Sequence, residues 1–386
     1  VPGEVEISLL ERIAEIPESE WDALLAEDSS PFVEWAWLEA LESSGCVTPE
    51  RGWLPRHVVV RRAGRLIAAA PAYVKGNSEG EFVFDHSWAA FAQRRLGVRY
   101  FPKLILAVPF TPATGDRILV GPGEDRAAIE RAIASTVPKL VEVLELSSAH
   151  LLFPRRAEQE VFVGEGFIAR SGLQFHWRNE GFRSFEDFLT ILPSKKRTQI
   201  RRERRALRES GVVVETRRGG AIDDATIEHA FRWYLSTVDK FAWGRRYLNE
   251  RFFRTIAARW SSGRSDRGAL EIVVAREGER AIGGAINVTK GRTLYGRYWG
   301  ADLDRPFLHF EVCYYHSIDD AIARGLESFE PGAGGEHKVA RGFRPTLTRS
   351  AHHLRDPRLA HAVAEACSAE HEHLDRIVRG EIEADD

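Results

Sequence analysis

The sequence predicts an α/β protein of the α+β kind, made of two tandem copies of one unit and closed by a C-terminal helix. Three observations point there. The chain has 386 residues, and at about 100–200 residues per domain that leaves room for two. Hydrophobic residues make up 44% and charged residues 29%, so both units can bury a core. A stretch of sequence also recurs: Val58 to Gly76 reads VVVRRAGRLIAAAPAYVKG, and Val273 to Gly291 reads VVAREGERAIGGAINVTKG. The two align without a gap, with Arg61 on Arg276, Ile67 on Ile282, Ala70 on Ala285 and Lys75 on Lys290.

The elements follow in the same order in both halves. Helical spacing of apolar residues over 20–41 and over 225–260 precedes each repeat. Each repeat then reads as a strand, a tight polar turn, a second strand and a turn into a third strand, at 81–84 and 294–299. A helix (126–144, then 310–324) and a strand (150–153, then 327–330) come next. Gly164-Glu-Gly-Phe167 closes the first half and Ala340-Arg-Gly-Phe343 the second. Between these anchors the offset falls from 215 to 176, so the first half carries an insertion, placed near 89–125. The expected domains are 1–175 and 176–355, followed by a helical tail over 356–386.

Composition narrows the function classes. Three cysteines cannot staple a chain this long, so a thiol-reducing compartment, the cytoplasm, is expected. No apolar run approaches the ~18–20 residues of a membrane span, and no basic region followed by an apolar stretch opens the chain. Met is absent even at position 1, so the first residue is not expected to be the translation start. A net charge of −3 argues against a surface built wholly for nucleic acid, but leaves room for a local basic patch. One exists: eight cations lie between Lys195 and Arg208, with Ser194 as the expected N-cap of their helix. Such a helix suits phosphates, and equally a solvated face with arginine stems covering the domain. Gly76-Asn-Ser-Glu-Gly80 matches a hydrolase pattern but falls in a strand-to-strand turn, where no nucleophile elbow forms. His371 and His373 diverge on a helix and His352 and His353 on a strand, so no metal site is expected.

Several segments carry a family likeness: Phe82-Val-Phe-Asp-His-Ser-Trp88, Val108-Pro-Phe-Thr-Pro112, Tyr295-Gly-Arg-Tyr-Trp-Gly300, Phe307-Leu-His-Phe-Glu-Val-Cys-Tyr-Tyr315 and Gly335-Glu-His-Lys-Val-Ala-Arg-Gly-Phe343. With the duplicated order they resemble the FemABX-like N-acyltransferases, in their DUF482 branch, which use two tandem GNAT-like domains. The resemblance implies N-acyl transfer, in which an amine attacks an activated acyl ester or thioester. It also implies a catalytic role for Lys338, since Fem-type transferases place a Lys before a Gly-Phe against the substrate or its developing charge.

The residues support a site on their own terms. Glu336, His337, Lys338 and Arg341 crowd a glycine-flanked loop after a strand, where a cation can stabilise an oxyanion. His309 and Glu311 stand at a helix start, and Glu311 or Glu336 could take the amine proton. Arg297 and Tyr298 are expected to orient a substrate, as are Asp85, His86, Lys103 and Thr111 in the first half. No tightly bound cofactor is expected. The CoA-cradling loop of the family's acetyltransferases has no counterpart in Ala301-Asp-Leu-Asp-Arg-Pro306, which counts against acetyl-CoA and leaves aminoacyl-tRNA, or an acyl group such as an acyl-CoA held otherwise, as donor. The acceptor is a small-molecule, peptide or glycan amine, and helix 195–208 is a possible tRNA contact. Two alternatives stand: a non-catalytic peptide or glycan recognition protein, and a CoA-dependent N-acetyltransferase.

Overall fold

The computed structural model describes residues 5–240, 245–261 and 267–382, apart from the side chain of Glu336. The chain divides into two units. The first takes in the described residues up to Leu173 together with Leu347 onward, and the second runs from Gln174 to Thr346. Residues 347–355, assigned from sequence to the second domain, and the C-terminal helix, left as a tail, therefore group with the first unit.

The first unit opens with strand β1 (Val5–Leu10) and helices α1 (Glu18–Asp22) and α2 (Trp35–Ser43). One helix was expected over 20–41; Pro31 breaks it, starting a 3-10 turn in which the Ser30 hydroxyl accepts from the Phe32 amide. After β2 (Trp53–Pro55), the repeat gives β3 (His57–Arg62) and β4 (Arg65–Ala70), an antiparallel hairpin with a bulge between Val60 and Arg61. Its turn, Ala63-Gly64, has φ of 50° and 79°, the left-handed pair that matches strand twist. Pro71 lacks an N–H and ends β4, so the second strand of the repeat becomes two, and β5 (Ala72–Lys75) pairs with β2 and the next strand. That next strand is not 81–84. Phe82 adopts a left-handed φ of 58° and the segment turns, while Asp85 precedes helix α3 (His86–Phe91). The third strand is β6 (Lys103–Leu106), antiparallel to β5. A short β7 (Leu119–Val120) pairs with β4, α4 (Arg126–Val143) follows from its Asp125 cap, and β8 (Ser148–Leu152) runs parallel to β6. Helix α5 (Arg156–Gly164) leads into β9 (Ile168–Arg178). Val58, Ile67, Leu104, Ile133, Val137 and Leu151 are among the core residues between the strands and α4.

The second unit begins within β9, whose end pairs antiparallel with a later strand. Helices α6 (Phe185–Leu189) and α7 (Ser194–Glu209) and strand β10 (Val212–Arg218) come next. Ser194 is the first helical residue of α7 rather than its cap, because Pro193 fills the cap position and no side chain caps this end. In place of one helical stretch over 225–260 there are α8 (Asp224–Val238) and α9 (Glu250–Arg259), the latter capped by Asn249; residues 241–244 of that stretch lie outside the described residues. The repeat gives β11 (Ala269–Glu277), β12 (Arg280–Lys290) and β13 (Thr293–Ala301). Here β12 is continuous, but its register with β13 shifts at Ile286/Asn287, the positions that align with Pro71 and Ala72. The bulge at Ala275/Arg276 likewise aligns with that at Val60/Arg61. Both copies therefore irregularise at the same places. Helix α10 (Leu308–Phe310) continues through a π turn (Glu311–Tyr315) into α11 (His316–Ala323), and β14 (Ser328–Glu330) lies parallel to β13. A 3-10 turn (Glu336–Arg341) then leads to β15 (Arg344–Leu354), whose end returns to pair with β8 in the first unit's sheet, and α12 (Pro357–Val378) closes the chain. No helix among the described residues is long and apolar enough to cross a membrane.

Candidate active site

The second unit holds a pocket of about 210 Å³ where β13 ends and α10 begins, lined by Lys240, Trp299, Arg305, Phe307, His309 and Phe310 among others. Local geometry opens it. At Gly300 a Cβ would lie 1.9 Å from the Trp233 carbonyl oxygen, so only glycine lets α8 press onto the end of β13. Phe307 takes a left-handed φ of 68°, a conformation costly for an aromatic residue, and this sharp turn aims the start of α10 at the pocket.

His309 lines the pocket at the start of α10. Its ring centroid lies 4.3 Å from Trp299 and 5.4 Å from Tyr314. Burial, then the neighbouring His337, Arg341 and Lys338, lowers its pKa to about 4, which leaves the imidazole neutral at ordinary pH. Neither ring nitrogen is hydrogen-bonded within the described residues, so one acceptor nitrogen is available to a ligand. His337 faces it at 5.8 Å between centroids, and its Nε2 is 2.9 Å from the Tyr314 hydroxyl. Lys338 is buried, and its ammonium donates to the Gly332 carbonyl at 2.9 Å; its other two N–H groups meet no partner among the described residues. Burial lowers its pKa to about 8.

Other expected site residues hold this arrangement in place. Arg341 lies 3.4 Å over the Phe310 ring, donates to the His337 carbonyl at 2.9 Å and to the Tyr315 hydroxyl at 3.0 Å. Tyr315 in turn donates to Glu203 of α7 at 2.5 Å. Glu311, expected as a proton acceptor, has both carboxylate oxygens engaged by Arg204 of α7 at 3.0–3.1 Å, and Arg204 also reaches Asp319. Burial raises the Glu311 pKa against the pull of Arg204. Glu336 starts the 3-10 turn, but its side chain lies outside the described residues. Tyr298 packs with Tyr234 at 4.9 Å and with Phe253, and Arg297 stacks on Tyr298, so neither joins the His309–Lys338 group. Trp299, Lys240, Arg305 and Tyr314 were not singled out from sequence; only the Trp299 and Tyr314 segments carried any signal, through the family likeness.

The first-half candidates form a separate buried cluster. Lys103 is ion-paired with Asp85 and, at 2.7 Å, with Glu81, and the Tyr100 hydroxyl donates to Asp85 at 2.6 Å. Burial alone would raise both carboxyls. Lys103 overcomes it at Asp85, held well below the usual range, whereas Glu81 is pushed up to about 7. His86 is exposed, and the buried Thr111 donates to the Pro109 carbonyl. Aligned on the two Gly-Phe anchors, the position of Lys338 falls on Phe162 and that of Arg341 on Glu165. Phe162 is buried in α5, so a regular helix replaces the polar turn. Among the described residues no group of three or more His, Cys, Asp and Glu is placed to hold a metal ion.

The second unit thus brings together a pocket at a helix start, a buried ammonium and an imidazole that meets no hydrogen-bond partner among the described residues. The chain belongs to the FemAB-like family, described as peptidoglycan biosynthesis/recognition, whose model matches residues 12–383. Its fold is similar to that of FemX, at 12% identity over 90% of this chain and 98% of that one, with a TM-score of 0.54. It is also similar to the C-terminal DUF2156 domain of a putative lysylphosphatidylglycerol synthetase from Agrobacterium fabrum, at 11% identity over 97% and 99%, TM-score 0.54. A conserved protein of unknown function from Bacteroides thetaiotaomicron shares the fold at 11% identity over 91% and 100%, TM-score 0.52. No curated protein matches the chain.

Proposed function

We propose that the second unit transfers an aminoacyl group from a charged tRNA to a primary amine, with His309 as proton acceptor and Lys338 as oxyanion donor. The observation that carries this reading is a neutral imidazole lining the pocket together with the buried Lys338 ammonium, near enough to lower its pKa, each with hydrogen-bonding capacity unused among the described residues. The amine must be neutral to attack. Its nitrogen bonds to the acyl carbon, His309 takes the released proton, and the carbonyl oxygen becomes an anion that Lys338 stabilises. Collapse breaks the ester C–O bond, and the tRNA hydroxyl leaves with the proton returned by His309.

Two features favour tRNA over CoA as donor. The segment after β13 places Asp304 in the pocket lining, where it opposes a pyrophosphate at the place the resemblance would put one, while Asp302 is ion-paired with Arg232. Helix α7 exposes Lys195, Arg201, Arg202, Arg205 and Arg208, while Ile200, Glu203 and Leu207 bury its other side. Lys240 lines the pocket beside the Trp299 ring, while Arg305 is ion-paired with Glu277. Glu311 and Arg341 are positioning residues, which fasten α7 and the 3-10 turn. The acceptor, an amine on a peptide or glycan, fits the family's peptidoglycan description. Incubating the chain separately with charged tRNA and with acyl-CoAs, each with an amino-sugar peptide, and weighing the products tests the reading. An amide is expected from tRNA alone; an amide formed only from acyl-CoA would reverse the choice of donor.

A further inference from the structure

The first unit has a surface segment that neither the site nor its proposed chemistry uses. From His86 to Gly115 no acidic residue occurs, although the whole chain is net negative at −3. Within this stretch Arg94, Arg95 and Arg99 are exposed and have no hydrogen-bond or ion-pair partner among the described residues. Two rings accompany them: Phe84 is 68% exposed and Phe91 38% exposed. Phe91 stands three and four residues before Arg94 and Arg95, so all three share the outward side of α3 and the π turn that extends it. The inward side is fixed. Trp88, Ala92 and Tyr100 are packed with Leu354, Leu359, Val363 and Cys367, so the segment is presented as a formed platform. Glu370, which reaches this region, is paired with Arg170, whose guanidinium also donates to the Phe84 carbonyl at 2.8 Å.

We propose that this face docks on an anionic lipid surface, with Arg94, Arg95 and Arg99 at the headgroups and Phe84 and Phe91 at the acyl boundary. Phosphates account for the unpaired arginines, and an apolar layer beside them accounts for large rings left in water. A nucleic-acid duplex, its bases already stacked, would satisfy only the first. The inference rests on surface residues and is independent of the donor and of the roles given to His309 and Lys338.

The test is sedimentation of the full chain with vesicles of phosphatidylcholine, pure or carrying about 30% phosphatidylglycerol. Binding to the anionic vesicles alone is expected, and it should weaken as salt is raised. Replacing both Arg94→Glu and Arg95→Glu should lower the partition at least about tenfold, at roughly fivefold per arginine; Phe84→Ser with Phe91→Ser should lower it as well. All four side chains are exposed, so the circular dichroism of the variants should match that of the parent chain. Equal binding to neutral and anionic vesicles, no binding to either, binding to RNA without binding to vesicles, or variants that sediment like the parent would each overturn the proposal.

Discussion

Lys338 gives one N–H to Gly332, and burial lowers its pKa to about 8, so it is an ammonium under ordinary conditions with donors to spare. If it stabilises the oxyanion, Lys338→Ala should cut kcat by about 10²–10³. The pH profile separates it from His309. Activity should rise as pH passes about 4, where His309 loses its proton, and fall as pH passes about 8, where Lys338 loses its own. Lys338→Ala should remove the alkaline limb, and His309→Gln the acid limb. An alkaline limb that survives in Lys338→Ala assigns it to another group. Stability should move the other way over the upper range. An unfolded lysine titrates near 10.5 and the folded one near 8, so between these values the unfolded chain binds more protons and stability rises with pH. Loss of activity with gain of stability above pH 8 is a signature that general alkaline unfolding cannot imitate.

The elements are joined by polar clamps that sequence patterns do not display. Glu311 stands in the π turn, and its ion pair with Arg204 attaches α7 to it, with Arg204 also 4.3 Å from the Phe185 ring. Glu311→Gln leaves a largely buried guanidinium short of its partner and should cost about 3 kcal/mol in denaturant unfolding. A variant as stable as the parent but inactive would instead make Glu311 the proton acceptor expected from the sequence. In the first unit, β8 and β15 place His150 and His352 opposite each other, with their Nδ1 atoms 2.7 Å apart and Ser148 and Ser350 on the outer nitrogens at 2.8 Å each. One ring must donate and the other accept, and burial keeps both neutral, holding His150 well below its usual pKa and His352 at about 3. On acidification below about 6.5 the unfolded histidines take up protons that the folded ones refuse, so stability falls with pH until the folded values are passed. The melting temperature should therefore drop between pH 6.5 and 4, and His352→Gln should flatten that slope. The sequence showed His352 only as a strand residue with no metal partner. Its real partner is distant in the chain, and only the strand pairing reveals it.

Across the whole molecule, the duplication has kept a frame and divided its uses. Bulges recur at aligned positions, while the polar turn of the second copy is a plain helix in the first. The charge is uneven too, since a chain of net charge −3 gathers clusters of exposed cations on α7 and on the face around Arg94. If α7 meets tRNA, changing Arg202, Arg205 and Arg208 to Ala should weaken binding across tRNA sequences alike. The slope of log K against log salt should fall by about one per arginine. An unchanged slope would leave α7 a solvated face and move the donor contact elsewhere.

Local chemistry settles what the chain alone could decide. The gapless repeat, helix α4 over 126–143 and the β–turn–β units follow from side-chain period and turn residues, which act within a few neighbours. So does the nomination of Lys338, His337 and Arg341, which crowd one short glycine-flanked segment, and of His309, which stands at an expected helix start. The fold decided what depends on partners far away in sequence. It moved the third strand of the first half from 81–84 to Lys103–Leu106, because the buried Lys103 binds Glu81 and Asp85 in a turn. It engaged Glu311 with Arg204, turned Tyr298 away from the pocket, and brought Trp299 against His309. Ion pairs and ring contacts between remote residues are settled by packing, and a linear pattern carries no record of which charges will find each other.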